Sequence, residues 1–325
     1  GLASCTCCQA GFGKSGARFI VSTIFAVNMI GWFGIQNGVC GEAFSNAMLA
    51  MTGWDIPVVV SNTIWGIIML LTAVYGVHAL EKLDKISIPL LMIIMCYGTF
   101  LAFKVYGTGN LNDEGTVQSM SFMSGVALSF NFTAVGTITG PDYTRFQKSR
   151  KDTVKSVFYG VFPMGVITLI MGIVLTKLSG QYDISMVLIE VGLPLLGIIA
   201  LVISTWTTNS TNAYSAGLNI VMALKLKDNR RREATLISGI VGIVLCDLGI
   251  LGHVEGVLSL LSYVVCPVGG VILADYWVVG KGKAKNFRPQ DGVNWAGVIA
   301  WALGAIISYT LVKIEFVGII IGFVI

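Results

Sequence analysis

Long apolar segments separated by short polar breaks run along the whole chain, and they restrict its fold more than any other feature. The polarity pattern predicts helices near 18–49, 57–80, 86–107, 120–140, 156–178, 193–224, 234–251, 254–280 and 293–313, with a further helix from 316. A helix that crosses a membrane needs roughly 20 apolar residues, and most of these segments provide them. Only 12% of the residues are charged, against roughly 25% in a soluble domain. The sequence therefore predicts an all-α membrane protein with a single transmembrane domain over residues 1–325.

Positive charge recurs in every second connection between the predicted helices. The basic connections include Lys82, Arg145, Lys225 and Lys281, whereas an intervening break carries Asp113. Lys and Arg in short loops favour the cytoplasmic side of a membrane. We therefore predict a multi-pass protein of the cell membrane (plasma or inner membrane) whose N-terminal end and basic loops are cytoplasmic.

Ionisable side chains are almost absent from the predicted spans, and no carboxylate or lysine lies at the centre of one. An ionised side chain there costs roughly 2.5–3.5 kcal/mol. This pattern argues against a strongly charged substrate and against a proton relay of acidic residues. No titratable cluster points to an enzyme or a cofactor, and no basic face points to nucleic acid. A membrane sensor that binds a solute without carrying it stays an alternative.

Uncharged polar side chains are concentrated in three of the predicted helices. In the first helix Asn28, Trp32 and Gln36 are four residues apart and share a helical face. An indole plane beside amide groups suits a flat heteroaromatic ring, which would stack on the indole and bond to an amide. A Trp packed between helices, with a Gln bonded across their interface, explains the same pattern equally well.

The second polar group contains Asn131, Phe132 and Thr133, followed by Gly136 and Thr137. Such a helix centre predicts a break in the helix, where freed backbone groups can face a ligand. The alternative is a close helix–helix contact through glycine.

The third group contains Ser204, Thr207, Thr208 and Asn209. The first three fall at i, i+3 and i+4, which points three hydroxyl oxygens in one direction, and hard cations prefer oxygen ligands. We predict a Na⁺ site there. The alternative is that the hydroxyls bond to carbonyls of their own helix.

Four stretches resemble the nucleobase–cation symporter-1 family, and specifically its bacterial cytosine permease branch. They are Ile30–Gln36, Pro141–Phe146, Trp206–Asn209 with Ala216–Leu218, and Pro267–Tyr276, which occur in family order over essentially the whole chain. The resemblance implies a leucine-transporter-type fold of two inverted five-helix repeats plus two helices. In that register the chain is truncated at both ends, lacking the first two helices and part of the last.

The resemblance also implies roles for the polar residues. Trp32 corresponds to the stacking tryptophan, and Gln36 to a substrate-binding glutamine of hydantoin-transporting relatives. The other implied substrate residues are Asn28, Asn131, Phe132, Thr133 and Asn209, and the implied sodium ligands are Ser204, Thr207 and Thr208.

The function implied is symport of a neutral nucleobase by alternating access, in a monomer embedded in the lipid bilayer, with no cofactor and with Na⁺ as the coupling ion. Met29 and Ser204 differ from the cytosine permease pattern, which has Gln and Asn there. Cytosine, purines, hydantoin, allantoin and hydroxymethylpyrimidine therefore stay open as substrates. H⁺ coupling and a non-transporting, ligand-binding fragment also stay open.

Overall fold

The structure, a computed structural model, describes residues 1–112, 122, 125–126, 129, 136, 138–181 and 184–310. Within these ranges the chain folds into α-helices joined by short turns. In chain order the helices are α1 Ser4–Cys7, α2 Gln9–Gly16, α3 Ser22–Thr52, α4 Val58–Tyr75, α5 Val77–Tyr106, α6 Pro141–Thr144, α7 Arg150–Lys155, α8 Phe162–Ser179, α9 Ile184–Glu190, α10 Pro194–Ala223, α11 Arg231–Asp247, α12 Val254–Leu273 and α13 Trp295–Thr310.

Turns of π-helix make several of these helices continuous with one another. Ala17–Val21 joins α2 to α3, Ser156–Val161 joins α7 to α8, and Ala274–Val279 extends α12. Among the described residues, five helical stretches are long and apolar enough to cross a membrane: Gln9–Thr52, Val58–Tyr75, His78–Tyr106, Arg150–Ser179 and Gly256–Val279. Helix α10 is not in this set although it has 30 residues, because the polar residues at its middle lower its hydropathy.

Four helices, α3, α4, α10 and α11, pack against one another and form the core of the described structure. Small residues let these helices approach closely. A Cβ atom added to Gly217 of α10 would collide with the Thr235 hydroxyl of α11. Close approach of this kind is how helices associate in a membrane, where there is no hydrophobic driving force between them.

Helix α10 runs antiparallel to α3 along the middle of this core. Ala216 of α10 packs in the same buried cluster as Phe25 of α3. Further along, the Asn209 side-chain amide of α10 donates to the Phe33 carbonyl of α3 at 3.1 Å. Residue numbers therefore fall on one helix as they rise on the other, so the polar middle of α10 lies beside that of α3.

The structure corrects the predicted break between the second and third helices. The predicted break at 81–85 is wrong, because residues 81–85 lie inside α5 and the chain breaks at Gly76 instead. Gly76 has φ 92° and ψ −170°, a conformation that only glycine adopts readily. Glu81 and Lys85 are one helical turn apart and form an ion pair of 2.7 Å, so the charged residues are compatible with a continuous helix.

Other predicted boundaries agree to within a few residues or extend further than predicted. The segment predicted at 193–224 is α10, whereas the first predicted helix begins earlier, at Gln9, and α9 had no predicted counterpart. The predicted helix at 120–140 and the one from 316 lie outside the continuously described residues.

Gly13 allows the segment before α3 to dock on the turn before α13. The backbone N–H of Ser15 donates to Gly292 O at 2.8 Å, and that of Asn294 donates to Phe12 O at 2.8 Å. Gly13 has φ 75° and ψ 161°, a region restricted almost entirely to glycine. A Cβ atom on Gly13 would lie 2.7 Å from the Asn294 nitrogen. Gly13 therefore serves the packing of the segment before α3 against the turn before α13.

We predict that Gly13→Ala lowers the free energy of unfolding by at least about 2 kcal/mol, since backbone strain and crowding each cost about 1–3 kcal/mol. The melting temperature of the detergent-solubilised protein would measure this. Gly16→Ala is the matched control, because Gly16 has helical dihedrals and room for a methyl group. Equal melting temperatures for the two variants would contradict the prediction.

Candidate functional site

The polar face of α3 contains one buried residue and two partly exposed ones. Asn28 has 0% exposure, whereas Trp32 and Gln36 are each partly exposed. Both polar atoms of the Asn28 side chain, Oδ1 and Nδ2, lack a hydrogen-bond partner. A buried polar group without a partner costs about 1–3 kcal/mol. The structure therefore places an unused donor and acceptor one helical turn from the Trp32 indole.

The hydroxyl groups of α10 donate to carbonyls of their own helix. Ser204 Oγ donates to Leu201 O at 3.0 Å, and the hydroxyls of Thr207 and Thr208 both donate to Ser204 O at 3.1 Å. Ser204 and Thr208 are exposed and Thr207 is partly buried. Because each hydroxyl uses its proton in these bonds, its oxygen lone pairs stay available to a cation.

Asn209 connects the two polar faces. It is fully buried, and its amide nitrogen donates to the carbonyl of Phe33, the residue after Trp32. Its Oδ1 accepts a weaker bond from Asn212 at 3.4 Å. Both polar atoms of the Asn209 side chain therefore bond to protein groups. Because one of these bonds joins α10 to α3, Asn209 suits a role in positioning the neighbouring residues Thr208 and Trp32.

Further side chains of α10 fix it to α4, and their roles were not predicted from the sequence. The Trp206 indole donates to the Thr72 hydroxyl at 2.9 Å, and Ser210 Oγ donates to Met69 O at 3.0 Å. In the sequence, Trp206 lies in one of the stretches that resemble the family. The polar composition of α10 was the available signal, but composition does not reveal which neighbouring helix each side chain meets.

The second predicted polar group cannot be placed beside the other two. Asn131, Phe132 and Thr133 lie outside the described residues. The structure therefore joins the first and third predicted groups, on α3 and α10, through the Asn209 bond to Phe33.

The walls formed by α3 and α10 are electrically neutral. Among the described residues, Asp142 is the one acidic or basic side chain that is buried. It lies outside the four-helix core. The described ranges also contain no cluster of three His, Cys, Asp or Glu side chains that could hold a metal ion. Amide groups, an indole and hydroxyl oxygens are what the described part of the site offers to a ligand.

These features define a multi-pass membrane protein whose helical core carries uncharged amide and hydroxyl side chains, and the comparisons with known proteins assign its class. The signature of the family described as permeases for cytosine/purines, uracil, thiamine and allantoin matches residues 1–325. The cytosine permease of Escherichia coli (strain K12) is 30% identical over 328 residues, which cover 99% of this chain and 75% of that protein. The purine-uracil permease of Arabidopsis thaliana is 25% identical, over 92% of this chain and 56% of that protein.

The fold also matches a solved structure. Mhp1, a nucleobase-cation-symport-1 family transporter in a closed conformation with bromovinylhydantoin bound, superposes with a TM-score of 0.79 over 99% of this chain and 77% of that chain, at 19% identity. The chain belongs to the cytosine/purine permease family, and it is a transporter and not an enzyme. The predicted leucine-transporter-type fold is confirmed.

We predict that Asn28→Leu raises the free energy of unfolding by about 1 kcal/mol or more, because leucine replaces an amide whose donor and acceptor are both unused. Thermal unfolding in detergent without ligand measures the change. Asn37→Leu is the matched control: Asn37 is equally buried on α3, but its amide donates to Asn62 O at 2.9 Å. That control should lower the melting temperature, and a decrease in both variants would contradict the prediction.

Proposed function

We propose that the protein carries a neutral nucleobase-like heterocycle across the cell membrane by Na⁺-coupled alternating access. The buried, unpartnered amide of Asn28 next to Trp32 is the observation that carries this proposal. A flat heterocycle with adjacent donor and acceptor atoms satisfies such an amide, whereas lipid does not. The family's range of cytosine, purine, allantoin and hydantoin substrates is consistent with this chemistry.

In the proposed complex the ring of the solute stacks on Trp32. Gln36 and Asn28 lie one turn away on either side of Trp32 and pair with the ring edge, while Asn209 holds the Phe33 carbonyl. Asn131, Phe132 and Thr133 complete the binding site in this proposal, on the strength of the family resemblance. A site without ionised groups selects a neutral solute, since a charge there would stay uncompensated.

The coupling ion in this proposal is Na⁺, held by the oxygens of Ser204, Thr207 and Thr208. Ser204 and Thr208 expose these oxygens on α10, and their protons already point at helix carbonyls. One Na⁺ moving down a membrane potential of about 100 mV releases roughly 2.3 kcal/mol. Since about 1.4 kcal/mol corresponds to a tenfold concentration ratio, this energy supports about 40-fold accumulation of the solute. H⁺ coupling is the less favoured alternative, because no buried acid faces this part of the described core.

The orientation we propose places the basic loops in the cytoplasm, with the protein acting as a monomer. Contacts at one end of the molecule support this grouping. Arg231, the first residue of α11 after one basic loop, donates to Val74 O and lies over the Tyr214 ring. Tyr143, which is next to another basic loop, bonds to Ser215. We also propose that residues 1–325 form a single transporter domain.

We predict that Trp32→Ala weakens binding of cytosine or a related base by roughly 5- to 150-fold, because base–aromatic stacking contributes about 1–3 kcal/mol per base. Isothermal titration of the purified protein across a panel of bases, hydantoin and allantoin would measure it. Trp206→Phe is the control, since that indole binds Thr72 and should affect stability only. Undiminished binding by Trp32→Ala would rule out this site, and binding without uptake of radiolabelled ligand into vesicles would identify a sensor.

The sodium site makes a separate prediction. Na⁺ should raise the melting temperature of the wild-type protein, since a ligand that binds only the folded state stabilises it. The Ser204→Ala/Thr208→Ala double variant should lose most of this shift while melting at the wild-type temperature in K⁺, because both hydroxyls are exposed. Thr63→Ala, an exposed hydroxyl on α4 that bonds to its own helix, is the control. An undiminished Na⁺ shift in the double variant would exclude these ligands.

A further inference from the structure

Helix α6 is attached to the start of the chain through a buried carboxylate. Asp142 of α6 is 6% exposed, and its Oδ1 accepts the backbone N–H of Ser4 at 2.8 Å. Ser4 Oγ donates to Thr139 O at 3.0 Å and accepts the Asp142 N–H at 3.2 Å. Each of these three hydrogen bonds joins segments that are 135 to 138 residues apart in the chain.

A second contact joins α6 directly to the four-helix core. The Tyr143 hydroxyl lies 3.2 Å from Ser215 Oγ of α10. Ser215 is 1% exposed, whereas Tyr143 is 41% exposed. The bond thus lies at the edge of the core, where the tyrosine can exchange its protein partner for water.

The chain that follows α6 has few other attachments to the rest of the molecule. We call residues 138–179 the α6–α8 limb. From Tyr143 to Val174 no residue of the limb is buried in the described structure. Burial resumes at Leu175 and Leu178, which pack against α5 and α9 at the other end. In the described structure, the limb is therefore held mainly at its two ends.

The energetics of Asp142 suit a contact that opens and closes. Loss of water raises the pKa of this carboxyl group, and its hydrogen bonds to Ser4 and the charge of Arg145 oppose that rise. The thiols nearest to the Asp142 carboxyl group carry no positive charge that could stabilise its ionised form. They belong to Cys5, Cys7 and Cys8. Burying an ion is expensive, and apolar residues often hold a permanent contact as well or better. Release would return the carboxylate to water, which offsets part of the free energy lost with its hydrogen bonds to Ser4.

We propose that Ser4, Asp142, Tyr143 and Ser215 form a releasable latch that holds one end of the α6–α8 limb against the core and lets it swing about its attachment at Leu175 and Leu178. The inference rests on the fold and on these contacts, and it does not depend on which solute or ion is carried. It predicts two populated states of the protein that differ at α1.

Native cysteines report the state of the latch. Cys5 and Cys8 of α1 are buried in a cluster against which Ile138 of the limb packs. Burial also raises the pKa of the Cys5 thiol to about 11. Since the thiolate is the reactive form, a closed latch protects Cys5 from maleimides both sterically and chemically.

The test measures maleimide modification of each cysteine in the whole protein by mass spectrometry, in detergent at neutral pH. Asp142→Ala, Tyr143→Phe and Ser215→Ala should each accelerate labelling of Cys5 and Cys8 at least about tenfold. Combining the last two should add little, because they remove the same bond. Asp152→Ala is the matched control. Its carboxylate is exposed and accepts a hydrogen bond from Ser149 at the start of its own helix α7, so its loss should not affect the contact between α6 and α1.

Cys40, which is buried in the core on α3, reports loss of the fold. Faster labelling of Cys5 and Cys8 with an unchanged rate at Cys40 supports the latch. Wild-type rates in the Asp142 variant or in the Tyr143 and Ser215 variants overturn it. An equal acceleration at Cys40 also overturns it, since that result means general unfolding.

Discussion

The hydrogen bond from the Asn209 amide to the Phe33 carbonyl sets the alignment on which the site depends. Apolar faces of membrane helices can slide past one another at little cost, because lipid and leucine side chains are equally apolar. A buried amide cannot slide in this way, since it would lose its partner. Trp32 directly precedes Phe33 on α3, and Thr208 directly precedes Asn209 on α10. This one bond therefore fixes the position of Trp32 relative to Thr208.

Polar residues in the core fall into two groups by what their hydrogen bonds do. Trp206, Ser210 and Asn37 bond to neighbouring helices and hold the four-helix core together. Asn28, equally buried, has no such bond. A protein in a bilayer gains nothing from an unsatisfied amide unless a ligand meets it, so this contrast separates residues that stabilise the fold from those proposed to bind a solute.

Sequence reasoning reached the class of fold and the polar faces, because span length and helical periodicity depend on local composition. It placed 193–224 almost as observed and set Asn28, Trp32 and Gln36 on one face. The break between the second and third helices was predicted at 81–85, because charged residues there are typical of a loop. These residues continue a helix, and the chain breaks at Gly76 instead. The Asn209–Phe33 bond was beyond prediction, since periodicity identifies a face and not the atom that the face meets.

The separation between the four-helix core and the α6–α8 limb connects the latch to the proposed transport cycle. Helices α3 and α10, which carry the proposed stacking and sodium residues, belong to the core. The limb begins at residue 138, only five residues after Thr133 of the second predicted polar group. Opening of the proposed latch would therefore move chain that is directly connected to one part of the proposed site. Relative motion between the parts of a binding site is what the proposed alternating access requires.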